Sequence, residues 1–198
     1  MNRFSSPLEA FSYWAQSTPE RVFLRQPVNR NFVEFTFKDA DQQIRKMVTA
    51  FRNLGINEGD HVALLSKNCA HWMLADLAIM AAGCISVPIY PSLGADSIEE
   101  ILVHSESKAI IIGKLDDYEA QRPGIPPMIK IGVEMYGVME DNTWEKLLAM
   151  YEPGSDIHQQ QPDELMTIMY TSGTTGNPKG VMHTVAAFDQ LINTAIDQ

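Results

Sequence analysis

Val62-Ala-Leu-Leu65, Asn68-Cys-Ala-His-Trp-Met-Leu-Ala-Asp-Leu-Ala-Ile-Met-Ala-Ala-Gly83 and Ile85-Ser-Val-Pro-Ile89 follow one another almost without interruption. The outer two segments are short apolar runs rich in branched residues, the pattern of strands covered on both faces. The middle one is apolar nearly all round, broken only by Asp76, and it stops at Gly83, a residue free to take the positive φ that ends a helix. Asn68 is placed to cap its start. Strand, buried helix, strand is the building unit of a parallel sheet, and it sets the expectation for the rest of the chain.

Working outward, Ala40, Ile44, Met47, Val48, Phe51 and Leu54 recur at intervals of three and four before Gly55, which predicts an amphipathic helix from Asp39. Further upstream, Pro7 to Ala15 reads as a short helix, and Val22 to Leu24 and Phe32 to Phe37 read as a hairpin about Asn29-Arg30-Asn31. Downstream the pattern predicts a helix over Asp96 to His104, strands at Ala109 to Ile112 and Met128 to Ile131, and a helix over Trp144 to Tyr151. The polar stretch Pro153 to Gln161 is a surface connection to a last strand, Leu165 to Tyr170. The expected fold is α/β, a mainly parallel sheet layered between helices, with 1–161 as one subdomain and 162–198 as the start of the next. The chain ends inside an unfinished helical pattern, Ala186, Leu191, Ile192, Ala195 and Ile196, and is read as truncated.

With 15 basic and 25 acidic residues in 198, the net charge is -10, which argues against a general nucleic-acid surface. A phosphate ligand would need a local device. The N-terminus has no apolar run of the secretory type, and Trp72 to Ala82 falls well short of the roughly 20 residues that cross a bilayer. Two cysteines, Cys69 and Cys84, suit a reducing, cytoplasmic setting and small buried positions. His61, His71, His104 and His158 lack cysteine or carboxylate partners at ligand spacing, so no zinc site is expected. Asp116-Asp117 with Glu119 reads as a solvated loop.

Such a local device follows the last strand: Thr171-Ser-Gly-Thr-Thr-Gly-Asn-Pro-Lys-Gly180-Val181, after which a helix is expected. Strand, glycine-rich loop and helix aims backbone N–H groups at an anion. Gly173, Gly176 and Gly180 permit close approach, and Thr171, Ser172, Thr174 and Thr175 add hydroxyls with little bulk. Pro178 stiffens the turn, and Lys179 supplies a point charge suited to a terminal phosphate. The loop is not a standard P-loop, because Pro178 and Gly180 stand where that pattern needs Gly and Ser or Thr. Nor is it the dinucleotide fingerprint, because Thr175 holds the place of the second glycine.

Tyr170-Thr-Ser-Gly-Thr-Thr-Gly-Asn-Pro-Lys-Gly180-Val is similar to the phosphate-loop signature of the adenylate-forming (AMP-binding) superfamily of acyl-CoA synthetases, luciferases and peptide-synthetase adenylation domains. Val87-Pro-Ile-Tyr-Pro-Ser92, Ser97 to Ala109 and Gly113-Lys-Leu-Asp116 resemble the long-chain fatty acid–CoA ligase branch, and Gly59 to Ser66 sits in the order expected of these ligases. The resemblance implies that a carboxylate attacks the α-phosphate of ATP bound with Mg2+, giving an acyl-adenylate that passes to coenzyme A. It implies that Thr171, Ser172, Gly173, Thr174, Thr175 and Gly176 wrap the β- and γ-phosphates, that Lys179 neutralises them, and that Thr174 touches the magnesium ion. The catalytic residues it implies here are Lys179 and Thr174.

Many members carry a Thr-His pair just past the loop, whereas Thr184 here precedes Val185 and the nearby histidine is His183. Tyr136-Gly-Val-Met-Glu140 resembles the family's Tyr-Gly-x-Thr-Glu motif, but it has Met139 in place of Thr and lies before the loop, so it is assigned to chance. The family's adenine, metal-carboxylate and catalytic-lysine motifs fall beyond Gln198, so the chain alone is expected to be inactive. Peripheral membrane contact of a full-length enzyme and self-association through surface exposed by truncation stay open. So do two other functions: a non-catalytic nucleotide-binding or scaffold module, and a ligase for an aryl, acetyl or amino acid.

Overall fold

The computed structural model describes residues 4–171 and 178–196. Its centre is a seven-stranded sheet in the order β7-β6-β5-β3-β4-β8-β9, in which only the β8–β9 pairing is antiparallel. The strands are β3 (His61–Leu65), β4 (Ile85–Ile89), β5 (Ala109–Ile112), β6 (Ile129–Gly132), β7 (Asn142–Thr143), β8 (Leu165–Thr171) and β9 (Lys179–Thr184). A separate hairpin of β1 (Val22–Val28) and β2 (Asn31–Thr36) turns at Asn29 and Arg30, both at positive φ, as a two-residue hairpin turn requires. The expected α/β class with a mainly parallel sheet is what the chain adopts.

Alternation along the strands builds two cores. On one face Val62, Leu64, Ala109 and Ile111 pack with Ile44, Met47, Phe51, Leu74 and Trp144. These come from α2 (Phe37–Asn53), α3 (Ala70–Ala81) and α6 (Trp144–Met150), beside α1 (Pro7–Ser17). On the other face Ala63, Leu65, Ile110 and Ile112 pack with Ile98, Ile101 and Leu102 of α4 (Ala95–His104), and a short helix α5 (Tyr118–Gln121) lies farther along. Thr36 starts α2 with a capping box, its hydroxyl accepting from the Asp39 N–H while the Asp39 carboxylate accepts from the Thr36 N–H.

At α3 the local expectation fails. Cys69, not Asn68, occupies the capping position and gives no side-chain cap bond. The cap comes from the hairpin instead: the buried Gln26 accepts from the Ala70 N–H at 2.9 Å and from the Tyr136 hydroxyl at 3.1 Å. Gly83 ends the helix at φ +66°, and a Cβ there would stand 2.8 Å from Glu58 and 2.9 Å from His158.

The largest departure follows the loop. Lys179–Thr184 is a strand, not the beginning of a helix, and α7 (Val185–Ile196) starts only after it. An unpaired outer edge of β8 would leave a row of backbone donors and acceptors without partners, and β9 pairs with them from Leu165 to Thr171.

Candidate phosphate-binding site

Parallel strands put the connections after β3, β4, β5 and β8 at one edge of the sheet, and ligands of open α/β sheets bind outside those carboxyl ends. The stem of the Ser/Thr/Gly loop stands there. Thr171 ends β8, Lys179 opens β9, and the two face each other in register as the last pair before the loop. Both are exposed. Ser172, Gly173, Thr174, Thr175 and Gly176 lie outside the described residues.

The next pair down is Tyr170 opposite Gly180. A Cβ on Gly180 would stand 2.8 Å from the Ile168 Cγ2 and 3.2 Å from the Tyr170 Cζ, so only glycine lets the tyrosine ring lie across β9. Those contacts put Gly180 on the α4 face. By strand alternation its neighbour Lys179 and the paired Thr171 fall on the opposite, α3 face. Among the described residues Lys179 makes no ion pair, so its charge is available to a ligand.

Because β9 runs back along β8, the start of α7 lies at the far edge of the sheet, where the Val185 N–H bonds the Glu164 carbonyl. Its helix dipole therefore does not face the loop, contrary to the strand–loop–helix expectation. An anion at the loop would gain nothing from that dipole.

Tyr170 is buried, and desolvation raises its hydroxyl above the usual tyrosine range, keeping it a donor. It reaches the His104 Nδ1 at 2.7 Å, with the rings edge to face. Nothing in the sequence signals this partnership across 66 positions. Below the stem on the other face, a cavity of about 190 Å³ lies between α3, β8 and α7, lined by Trp72, Met73, Met80, Met166 and Met169. Its polar lining is Asp76 and Thr167. Asp76 accepts from the Ser86 hydroxyl at 2.6 Å, yet burial pushes its carboxyl up to about 6.

The other singled-out residues have structural roles. Tyr136 bonds Gln26 and His71, Gly137 closes a turn at φ +80°, and Glu140 accepts from Tyr118. Burial holds His71 down at about 4, so it stays neutral. His183 sits on β9 opposite Thr167. His61 meets the Ser105 carbonyl, whereas His158 is bracketed by Glu58, distant in sequence, at 3.3 Å and by Glu164 at 2.7 Å. Among the described residues no group of three or more His, Cys, Asp or Glu could hold a metal. The acidic patch is less free than expected: Asp116 pairs with Lys67, and Asp117 caps α5.

A family model described as AMP-binding enzyme matches residues 11–198. Long chain acyl-CoA synthetase 5 of Arabidopsis thaliana is 30% identical over 166 residues, which are 76% of this chain and 25% of that protein. Fatty acyl-CoA synthetase A of Dictyostelium discoideum is 33% identical over 165 residues, 75% of this chain and 24% of that protein. Among solved structures, acetoacetyl-CoA synthetase from Streptomyces lividans shares the fold with a TM-score of 0.78 at 23% identity, over 91% of this chain and 30% of that one. The chain spans about a quarter of the length of the curated relatives it matches.

Proposed function

Because this chain belongs to the AMP-binding enzyme family, we propose that it supplies the phosphate-binding part of an ATP-dependent ligase that activates a fatty acid as its acyl-adenylate and passes the acyl group to coenzyme A. A long acyl chain is the favoured substrate, since the relatives that carry the similarity are named for long-chain and fatty acyl-CoA synthesis. The observation that carries the reading is the stem: a lysine and a threonine paired across the mouth of a Ser/Thr/Gly loop, at the carboxyl edge of a parallel sheet.

In this reading Lys179 neutralises charge on the β- and γ-phosphates, while the hydroxyls of Thr171, Ser172, Thr174 and Thr175 and the amides around Gly173 and Gly176 surround their oxygens. Holding the pyrophosphate half of ATP still leaves the α-phosphorus exposed to an incoming carboxylate, and stabilises the departing pyrophosphate as its charge grows. Magnesium carried by ATP takes most of its ligands from phosphate oxygens and water, so one protein hydroxyl, which we assign to Thr174, suits it. When bound, that ion supplies further charge neutralisation at the same oxygens. The chain alone is proposed to lack turnover, with the remaining contacts made by parts of the relatives' length that it does not span.

The test is fatty-acid-dependent ATP–pyrophosphate exchange in the full-length protein, with and without Lys179→Ala. Exchange that needs a fatty acid and falls at least tenfold in the variant supports the assignment. No exchange with fatty acids of any length, or an unaffected variant, overturns it.

A further inference from the structure

The β8–β9 hairpin that carries the loop runs beside β4 and packs Ile168 and Tyr170 into the core on the α4 face, but the backbone ladder that ties it to the rest of the sheet is short. β3 and β4 pair from His61 opposite Ile85 to Leu65 opposite Ile89, but the ladder between β4 and β8 has one paired position, Ser86 opposite Thr167. At that same level the Thr167 hydroxyl donates to the Ser86 carbonyl at 3.0 Å. The inner end of the hairpin is thus pinned at Thr167, and the loop end lies four residues farther out.

Four residues of strand are about 13 Å, so a tilt of about 5° around Thr167 would carry Thr171 and Lys179 by about 1 Å. A displacement of that size is enough to spoil hydrogen bonds aimed at phosphate oxygens. Side-chain contacts near the loop end therefore bear on the tilt. On the α4 face the last side chain before the loop is Tyr170, and its hydroxyl meets His104, in the last turn of α4, at 2.7 Å. Gly180, lacking a Cβ, leaves the Tyr170 ring room to take this position.

We infer that His104 is a positioning residue for the phosphate loop: through Tyr170 it ties the loop end of the hairpin, beyond the short backbone ladder to β4, to the last turn of α4. His104 itself is exposed, so removing its bond disturbs the core little while freeing the stem to tilt. The inference rests on the reading of the loop as a phosphate site only for its effect on ligand affinity. The effect on the stem is independent of that reading.

The test compares this chain with its His104→Phe, His104→Gln and Tyr170→Phe variants and the double Phe variant. Two quantities are read: hydrogen exchange of the Tyr170, Thr171 and Gly180 amides without ligand, and the dissociation constant for inorganic pyrophosphate by calorimetry. His104→Phe should speed exchange at those amides several-fold and weaken pyrophosphate binding roughly threefold to tenfold, beyond what the modest fall in urea midpoint from one unpaired hydroxyl explains. Adding Tyr170→Phe should cost little more, and His104→Gln, which keeps an acceptor, should recover most of both effects. Unchanged exchange in His104→Phe overturns the inference, as does a loss of affinity that merely follows a loss of stability. If the unaltered chain fails to bind pyrophosphate, the phosphate-site reading falls, and the exchange result alone decides for or against the brace.

Discussion

Replacing Gln26 with Leu should destabilise the protein out of proportion to a change on a hairpin strand. Gln26 is 4% exposed, and its Oε1 serves two donors from different elements, the Ala70 N–H at the start of α3 and the Tyr136 hydroxyl. Leucine keeps most of the volume and removes the acceptor, so both donors lose their partner where water does not reach them easily. A buried donor left alone costs about 1–3 kcal/mol. Tyr136 has a second neighbour, the His71 Nδ1 at 3.1 Å, and can turn its proton there if the imidazole changes tautomer. The Ala70 N–H has no such alternative. The expected loss is therefore about 2–4 kcal/mol, or a fall in Tm of roughly 5–15 °C for a domain of this size. Urea unfolding followed by circular dichroism measures it. The neighbouring Arg25–Glu34 ion pair, 63% and 47% exposed, is the control, and Arg25→Ala should cost under about 0.5 kcal/mol. A Gln26→Leu protein within about 1 kcal/mol of the original would refute the idea that the hairpin caps α3.

Three further outcomes follow from the same geometry. Lys179→Ala should weaken pyrophosphate binding by tenfold or more while leaving Tm unchanged, since the side chain is exposed and unpaired among the described residues; calorimetry and a melting curve check the two halves separately. Gly180→Ala drives a methyl to 2.8 Å from Ile168 and 3.2 Å from Tyr170 and should cost about 1–3 kcal/mol, so an unmoved urea midpoint would count against the packing described. Asp76 gives a pH dependence of defined sign. Its carboxyl is raised to about 6 in the folded protein, so its contribution is fully present below the unfolded value near 3.8 and is lost as pH climbs through 6. Asp76→Asn should therefore gain stability relative to the original protein between pH 4 and 7, by an amount on the order of 2 kcal/mol, and a difference that stays flat over that range would contradict the assignment.

Much of the fold was legible because its elements are local in origin. The apolar runs at Val62–Leu65, Ile85–Ile89 and Ala109–Ile112 and the periodicity from Ala40 to Leu54 each carry their own signal, and the structure places strands and a helix there within a residue or two. The chemistry-bearing segment was legible for the same reason, since hydroxyls, glycines, Pro178 and Lys179 are contiguous. Where the loop goes afterwards was not legible. Lys179 to Thr184 has neither helical nor strand periodicity of its own, and it becomes a strand because the outer edge of β8 needs a partner.

Amino-acid sequence by itself determined the class of the fold, most of the order of its strands and helices along the chain, and the contiguous segment that gathers hydroxyls, glycines and a lysine. Tertiary structure alone decided what lies beside what: that a hairpin glutamine 44 positions away caps α3, that α7 turns its dipole away from the loop, and that His104 holds Tyr170. The reason is physical. Periodicity and turn chemistry act over a few residues, whereas a buried donor accepts whichever partner the packed layers bring within 3 Å.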